Sequence, residues 1–103
     1  MACQVAWAAG VPSIVSGLGS TDFTVTDNGT GDLTLTFVAP FKRAPIVVAL
    51  PLAAAGDAIV TLQAQPSATA VRLLVWDATD GTTAKDNIPL NVMVIGYDTA
   101  DQT

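Results

Sequence analysis

The stretch that most constrains this chain runs from Asp32 to Leu50, DLTLTFVAPFKRAPIVVAL, because it holds two strand patterns separated by a proline-bounded break. Leu33, Leu35 and Phe37 alternate with Thr34, Thr36 and Val38, and a two-residue repeat puts the three large apolar groups on one face of a strand. After Pro40 to Pro45, the run Ile46-Val47-Val48-Ala49-Leu50 is apolar at every position, the pattern of a strand covered on both faces. A half-buried strand followed by a covered one predicts a β-sandwich with something packed against it. The break between them carries Phe41, Lys42 and Arg43 outward, since a proline cannot donate to a central ladder.

The flanking sequence extends the same pattern. Phe23-Thr24-Val25-Thr26 alternates and runs into Asp27-Asn28-Gly29, where Asn-Gly can supply the two positive φ angles of a type I′ turn, so this strand is predicted to pair with the next. Ala58 to Gln63 is a further strand. Val71 to Asp77 is another, with Val71, Leu73 and Val75 on one face and Arg72, Leu74 and Trp76 on the other. Ala78 to Asn87 reads as a polar loop with a turn at Asp80-Gly81, and Pro51 to Gly56 as a loop or at most one helical turn. Ile88 to Tyr97 places Leu90, Val92 and Val94 on one face and Asn91, Met93, Ile95 and Tyr97 on the other, which suits a mid-sheet strand or a subunit interface. Residues 1–16 are predicted as an N-terminal arm or edge strand, and residues 17–103 as the sandwich domain. The whole is an all-β, antiparallel sandwich of six to seven strands.

Composition agrees and narrows the function. All nine acidic residues are Asp, and Thr and Val together make up about a quarter of the 103 residues, a bias towards strands and turns. Half the residues are hydrophobic and 13% are charged, against a usual share of about a quarter, which points to an obligate assembly; the 17 alanines also inflate the apolar count without making a sticky surface. With a net charge of −5 and only four cations, Lys42, Arg43, Arg72 and Lys85, a phosphate-tracking stripe is not available and nucleic acid is not an expected partner. Cys3 is the only cysteine, so no intrachain disulfide forms, and the thiol suits a reducing compartment or a buried position. No signal-peptide pattern and no apolar run of membrane-spanning length is present, so the chain is expected to be soluble, made in a cytoplasm and without a membrane partner.

The chemistry of a site is scarce. There is no histidine and no glutamate, which leaves a Ser-Lys pair or an Asp dyad as routes to catalysis, neither with a flanking signature, and the chain is read as a non-enzyme. Asp27, Asn28 and Asp32 form one oxygen cluster and Asp77, Asp80 and Asp86 another; neither has calcium-loop spacing, and Asp and Asn are also the ordinary turn formers, so no metal or other cofactor is expected. Trp7, Trp76 and Tyr97 suggest either a sugar-stacking platform or core, with core the better reading for Trp76 and Tyr97 in apolar strands. Lys42-Arg43 is the one adjacent pair of cations, either solvated surface or a docking point for an acidic partner.

The segments GTGDLTLTFVAPFKRAPIVVAL (Gly29 to Leu50), VRLLVWD (Val71 to Asp77), the Gly81 loop and VMVIGY (Val92 to Tyr97) together resemble small β-domains of tailed-bacteriophage virions. Such domains occur at the tips of tail fibres and as stand-alone capsid decoration, or cement, proteins, and the resemblance covers roughly residues 17 to 97. It implies a jelly-roll-like sandwich that assembles as a homotrimer. It also implies a structural virion protein, made in the host cytoplasm, that binds the major capsid protein on the outer surface of the head. No shaft-like segment precedes the domain in this sequence, which favours decoration over a fibre tip; the alternative is a tail-fibre or receptor-binding domain that recognises a host-surface glycan through Trp7, Trp76 and the Asp77 to Asn87 loop. On the first reading Val5, Trp7, Ile14, Lys42 and Arg43 are expected to contact the capsid, and Leu73, Val75, Val92 and Val94 to form trimer contacts or core.

Overall fold

The structure is a computed structural model in which residues 1–52, 58–79 and 81–96 are described. They form eight strands: β1 (Ala2–Ala8), β2 (Val11–Ile14), β3 (Phe23–Gly29), β4 (Asp32–Phe37), β5 (Ile46–Pro51), β6 (Ala58–Leu62), β7 (Ala70–Asp77) and β8 (Leu90–Ile95). Two four-stranded antiparallel sheets result, one in the order β2-β1-β8-β5 and the other β3-β4-β7-β6. The all-β expectation holds, and the strand pattern explains why. Val5, Val47, Leu90, Val92 and Val94 of the first sheet and Phe23, Leu33, Leu35, Phe37, Val71, Leu73 and Val75 of the second bury one face each into a shared core. Among the described residues no polar or charged side chain is buried there.

Two expectations change. The count is eight strands rather than six or seven, because the residues read as an arm or edge strand supply two of them. Of these two only β2 lies at a sheet edge; β1 sits between β2 and β8, and Val5 is wholly buried. A loose arm would leave Cys3 and Val5 in water, whereas pairing with β8 places both in the core.

The turn chemistry also moves. The β3–β4 pairing forms as predicted, but its turn is at Thr30-Gly31, and Asn28-Gly29 lies in a bulge between Asp27 and Gly29. Asn28 uses its side chain instead, its Nδ2 donating to Thr34 Oγ1 at 2.7 Å and to Asp32 Oδ1 at 3.3 Å. The turn with two positive φ angles joins β1 to β2, at Ala9 (51°) and Gly10 (83°) between the paired Ala8 and Val11.

The two ends of the sandwich are closed differently. At one end Phe23, Phe37 and Phe41 stack edge to face, with centroids 5.9 and 5.2 Å apart, and the Phe41 ring occupies the space beside Gly96 that any side chain there would fill. At the other end the β7–β8 connection folds back: Lys85 N donates to Val75 O at 3.0 Å and Asp77 N to Thr83 O at 2.8 Å, taking the place beside β7 that β4 leaves at Gly31. Ile88 is buried there, and Trp7 Nε1 donates to its carbonyl at 2.6 Å.

Candidate interaction surface

The apolar run of β5 is covered on one face only. β5 is an edge strand, and Val47 and Ala49 face the core while Ile46, Val48 and Leu50 are 55%, 45% and 61% exposed. Across the ladder, Ile46 pairs with Ile95, Val48 with Met93 and Leu50 with Asn91, and Met93 and Ile95 are about as exposed as their partners. The outer face of β5 and β8 is therefore a stripe of five large apolar side chains. Period-two geometry forces this: placing Val92 and Val94 in the core turns Met93 and Ile95 outward.

The stripe continues into a groove of about 480 Å³ over the Ala2 to Gln4 end of β1. Small or polar residues, Ala2, Gln4 and Asn91, lie between Val48 and Leu50 on β5 and Leu18 beyond β1, and Leu18 is itself exposed. Gln4 Nε2 donates to Asn91 Oδ1 at 3.1 Å, one hydrogen bond between two exposed amides within the apolar surroundings. Cys3 also lines the groove; burial pushes its thiol up to about 11, which makes it a poor nucleophile.

Charge is segregated between the sheets. No strand of the β2-β1-β8-β5 sheet carries a charged residue, whereas the other sheet carries Asp27, Asp32, Arg72 and Asp77 in its strands. Arg72 grips Asp32 through hydrogen bonds of 2.8 and 2.6 Å. That grip, helped by the Asn28 amide and opposed by slight burial, holds the Asp32 carboxyl below the ordinary carboxylate range.

The residues expected to contact a partner divide into two groups. Val5, Leu73, Val75, Val92 and Val94 are at most 2% exposed, so for the last four the structure selects core over trimer contact, and Val5 is unavailable to any partner of the folded chain. Trp7 and Ile14 pack partly buried against the same core. Lys42 and Arg43 are exposed at the tip of the β4–β5 connection. Their loop is anchored by buried Phe41 and by Phe41 N donating to Ala68 O at 2.9 Å, and it lies at the Ile46–Ile95 end of the apolar stripe.

The two tryptophans do not share a platform. Trp7 is on β1 and faces inward; Trp76 is on β7 with the outward set, donating Nε1 to Thr61 Oγ1 at 2.8 Å. Tyr97 and Asp80, and the predicted loop at 53–56, lie outside the described residues. The remaining carboxylates of the two oxygen clusters act as turn and loop fasteners. Asp27 accepts from Gly29 N, Asp77 from Thr79 N and Oγ1, and Asp86 from Gly31 N, and among the described residues no three converge as a metal site.

The sequence offers a subunit interface as one reading of the strand that carries Met93 and Ile95, but it does not join them with Ile46, Val48 and Leu50 into one surface. The signal was present in the runs without polar alternation, but such runs read equally as a doubly covered strand. The chain matches no protein-family model, no curated protein and no solved structure.

Proposed function

We propose that the protein is a structural virion protein, a capsid decoration protein that binds the outer surface of a bacteriophage head as a homotrimer and stabilises contacts between major capsid subunits. The observation that carries the reading is the uncovered, charge-free apolar face of β5 and β8 in a chain with few charges overall, a surface suited to permanent burial rather than to turnover of a substrate. The resemblance to phage β-domains supplies the location. Eight strands in two four-stranded sheets, with the first strand beside the last, support the jelly-roll-like class; the in-sheet hairpins β1–β2, β3–β4 and β6–β7 are where it departs from a pure double Greek key.

The mechanism is mass action. A ligand that binds only the assembled shell stabilises that shell by its binding free energy, and many copies multiply a small increment. Lys42 and Arg43, presented by the Phe41-anchored loop, are the polar contacts for an acidic site on the capsid protein.

The test mixes purified protein with undecorated heads and measures co-sedimentation and the temperature at which the heads open. Binding that raises this temperature, weakened by Lys42→Ala with Arg43→Ala, supports the reading. No binding to heads, together with adsorption of the protein to host cells, overturns it in favour of a tail receptor-binding domain that recognises a surface glycan.

A further inference from the structure

We infer that the outer face of β5 and β8 is the surface through which copies of this chain meet, Ile46, Val48, Leu50, Met93 and Ile95 of one copy packing on the same sheet of another. This deepens the assembly part of the proposed function and rests on it only for the expectation that the protein works as an oligomer. The sequence places candidate trimer contacts at Leu73, Val75, Val92 and Val94; their burial leaves that role to a different set of side chains.

Three observations favour a second copy as the occupant. The first is area. The five stripe residues and Leu18, each 45% to 61% exposed, present on the order of 500 Å² of apolar side-chain surface, in the upper part of the ~300–600 Å² range of the largest patch on a typical monomer and more than half of the ~800 Å² per partner that a standard interface buries. The groove over Ala2, Gln4 and Asn91 adds to it on the same face.

The second is charge. At −5 the chain repels its own copies, and a surface that brings no side-chain charge to the contact adds least to that repulsion. None of the four strands of this sheet carries a charged side chain, so two such faces meet without burying one; the one charge bonded to the sheet is the Met1 ammonium, on Val94 O at 3.2 Å.

The third is shape. A row of bulky side chains on β5 and β8 stands beside a groove whose floor is lined by small or polar residues, so the row of one copy can enter the groove of the next, the head-to-tail contact that closes a ring such as a trimer. The polar side chains on the floor, Gln4 and Asn91, bond each other once, and their remaining amide groups are available to a facing copy.

The experiment is sedimentation velocity on the full chain over about 1 to 100 μM, without heads, for the wild type and for Val48→Asp, Ile95→Asp and Ile59→Asp. Ile59 is similarly exposed but lies on β6 in the other sheet. Circular dichroism melting confirms that each variant folds, as expected for outward-facing positions. The wild type and Ile59→Asp are expected to associate, and Val48→Asp and Ile95→Asp to weaken association by at least ~100-fold, because each buries an unpaired carboxylate.

Mixing Val48→Asp with Val48→Lys is expected to recover part of the assembly. A monomeric wild type at 100 μM, or assembly unchanged in both stripe variants, overturns the inference. If that monomer still decorates heads and Val48→Asp abolishes decoration, the capsid protein covers the face; the proposed function then stands while this inference fails. Assembly through the stripe without any binding to heads supports this inference while the proposed function fails.

Discussion

The backbone N–H of Gly31 donates to a carboxylate oxygen of Asp86 at 2.6 Å, joining the β3–β4 turn to the long β7–β8 connection across 55 residues of sequence. Gly31 is at φ +62°, and a Cβ there would lie 2.6 Å from the Val75 carbonyl oxygen. Asp86→Ala is expected to lower stability by about 1–2 kcal/mol, by loss of a charge-assisted bond at a partly buried amide. Gly31→Ala is expected to cost more, about 3 kcal/mol, since it adds a backbone clash to an unfavourable φ. Urea unfolding of both variants checks the order.

Ala9 is the residue whose conformation suits its type least. At φ +51° it occupies the left-handed region in the two-residue turn that joins β1 to β2. Ala9→Asn is expected to raise stability by about 0.5–1 kcal/mol, because Asn tolerates that region and favours this turn. A higher melting midpoint with unchanged fluorescence of Trp7 is the expected readout.

Phe41 couples the cationic loop to the sandwich through its contact with Phe37 and its place beside Gly96. Phe41→Ala is expected to cost about 3–4 kcal/mol and to reduce head binding along with it. Phe41→Leu, which keeps the volume of an apolar anchor, is expected to recover most of both. Paired melting and co-sedimentation measurements separate these outcomes from a direct role of the ring in binding.

Two groups give the protein opposite pH behaviour at the extremes. The Cys3 thiol is raised by burial from 9.0 to about 11, so its stabilising contribution is complete below 9.0 and is lost as the pH climbs through 11. Alkylation of native Cys3 at pH 8 is accordingly expected to be far slower than in urea, by mass spectrometry. Asp32 is depressed by Arg72, so its contribution is present above the ordinary carboxylate value and is lost as the pH falls through the lower native one. Arg72→Ala is expected to flatten the acid limb of the stability profile between those two values and leave the alkaline limb unchanged.

The fold was legible where alternation was strict. Leu33, Leu35 and Phe37, Val71, Leu73 and Val75, and Leu90, Val92 and Val94 are core-facing as their period-two spacing demands. It was less legible where tertiary pairing overrode local preference. Asn28-Gly29 is the better type I′ sequence, yet the packing of Gly31 against Val75 and Asp86 fixes the turn two residues later, and Ala9-Gly10 takes up the geometry because β1 and β2 leave only two residues between them. β1 itself, alanine-rich, carries a weak signal and gains its place from β8.

The interaction surface was visible only in part. An apolar run shows that both faces of a strand want cover, but whether the cover comes from the same chain depends on which strand ends at the sheet edge, and that is a property of topology. The exposure of Lys42 and Arg43 was legible, since a proline-bounded cationic loop is a local feature. The five residues beside them emerge only when the order β1-β8-β5 turns alternate side chains to the outside.

The absence of charge from the strands of the β2-β1-β8-β5 sheet gives an interface built on it a characteristic response to ionic strength. Contacts held by ion pairs loosen as salt screens them, with a Debye length of about 8 Å in physiological buffer. Here no attraction is screened, while the mutual repulsion of chains at −5 is, so added sodium chloride tightens the association of copies and sulfate tightens it further through exclusion from apolar surface. The proposed contact of Lys42 and Arg43 with an acidic site is expected to have the opposite sign. A single salt titration is thus expected to pull the two proposed kinds of contact apart, high salt strengthening self-association and weakening binding to heads.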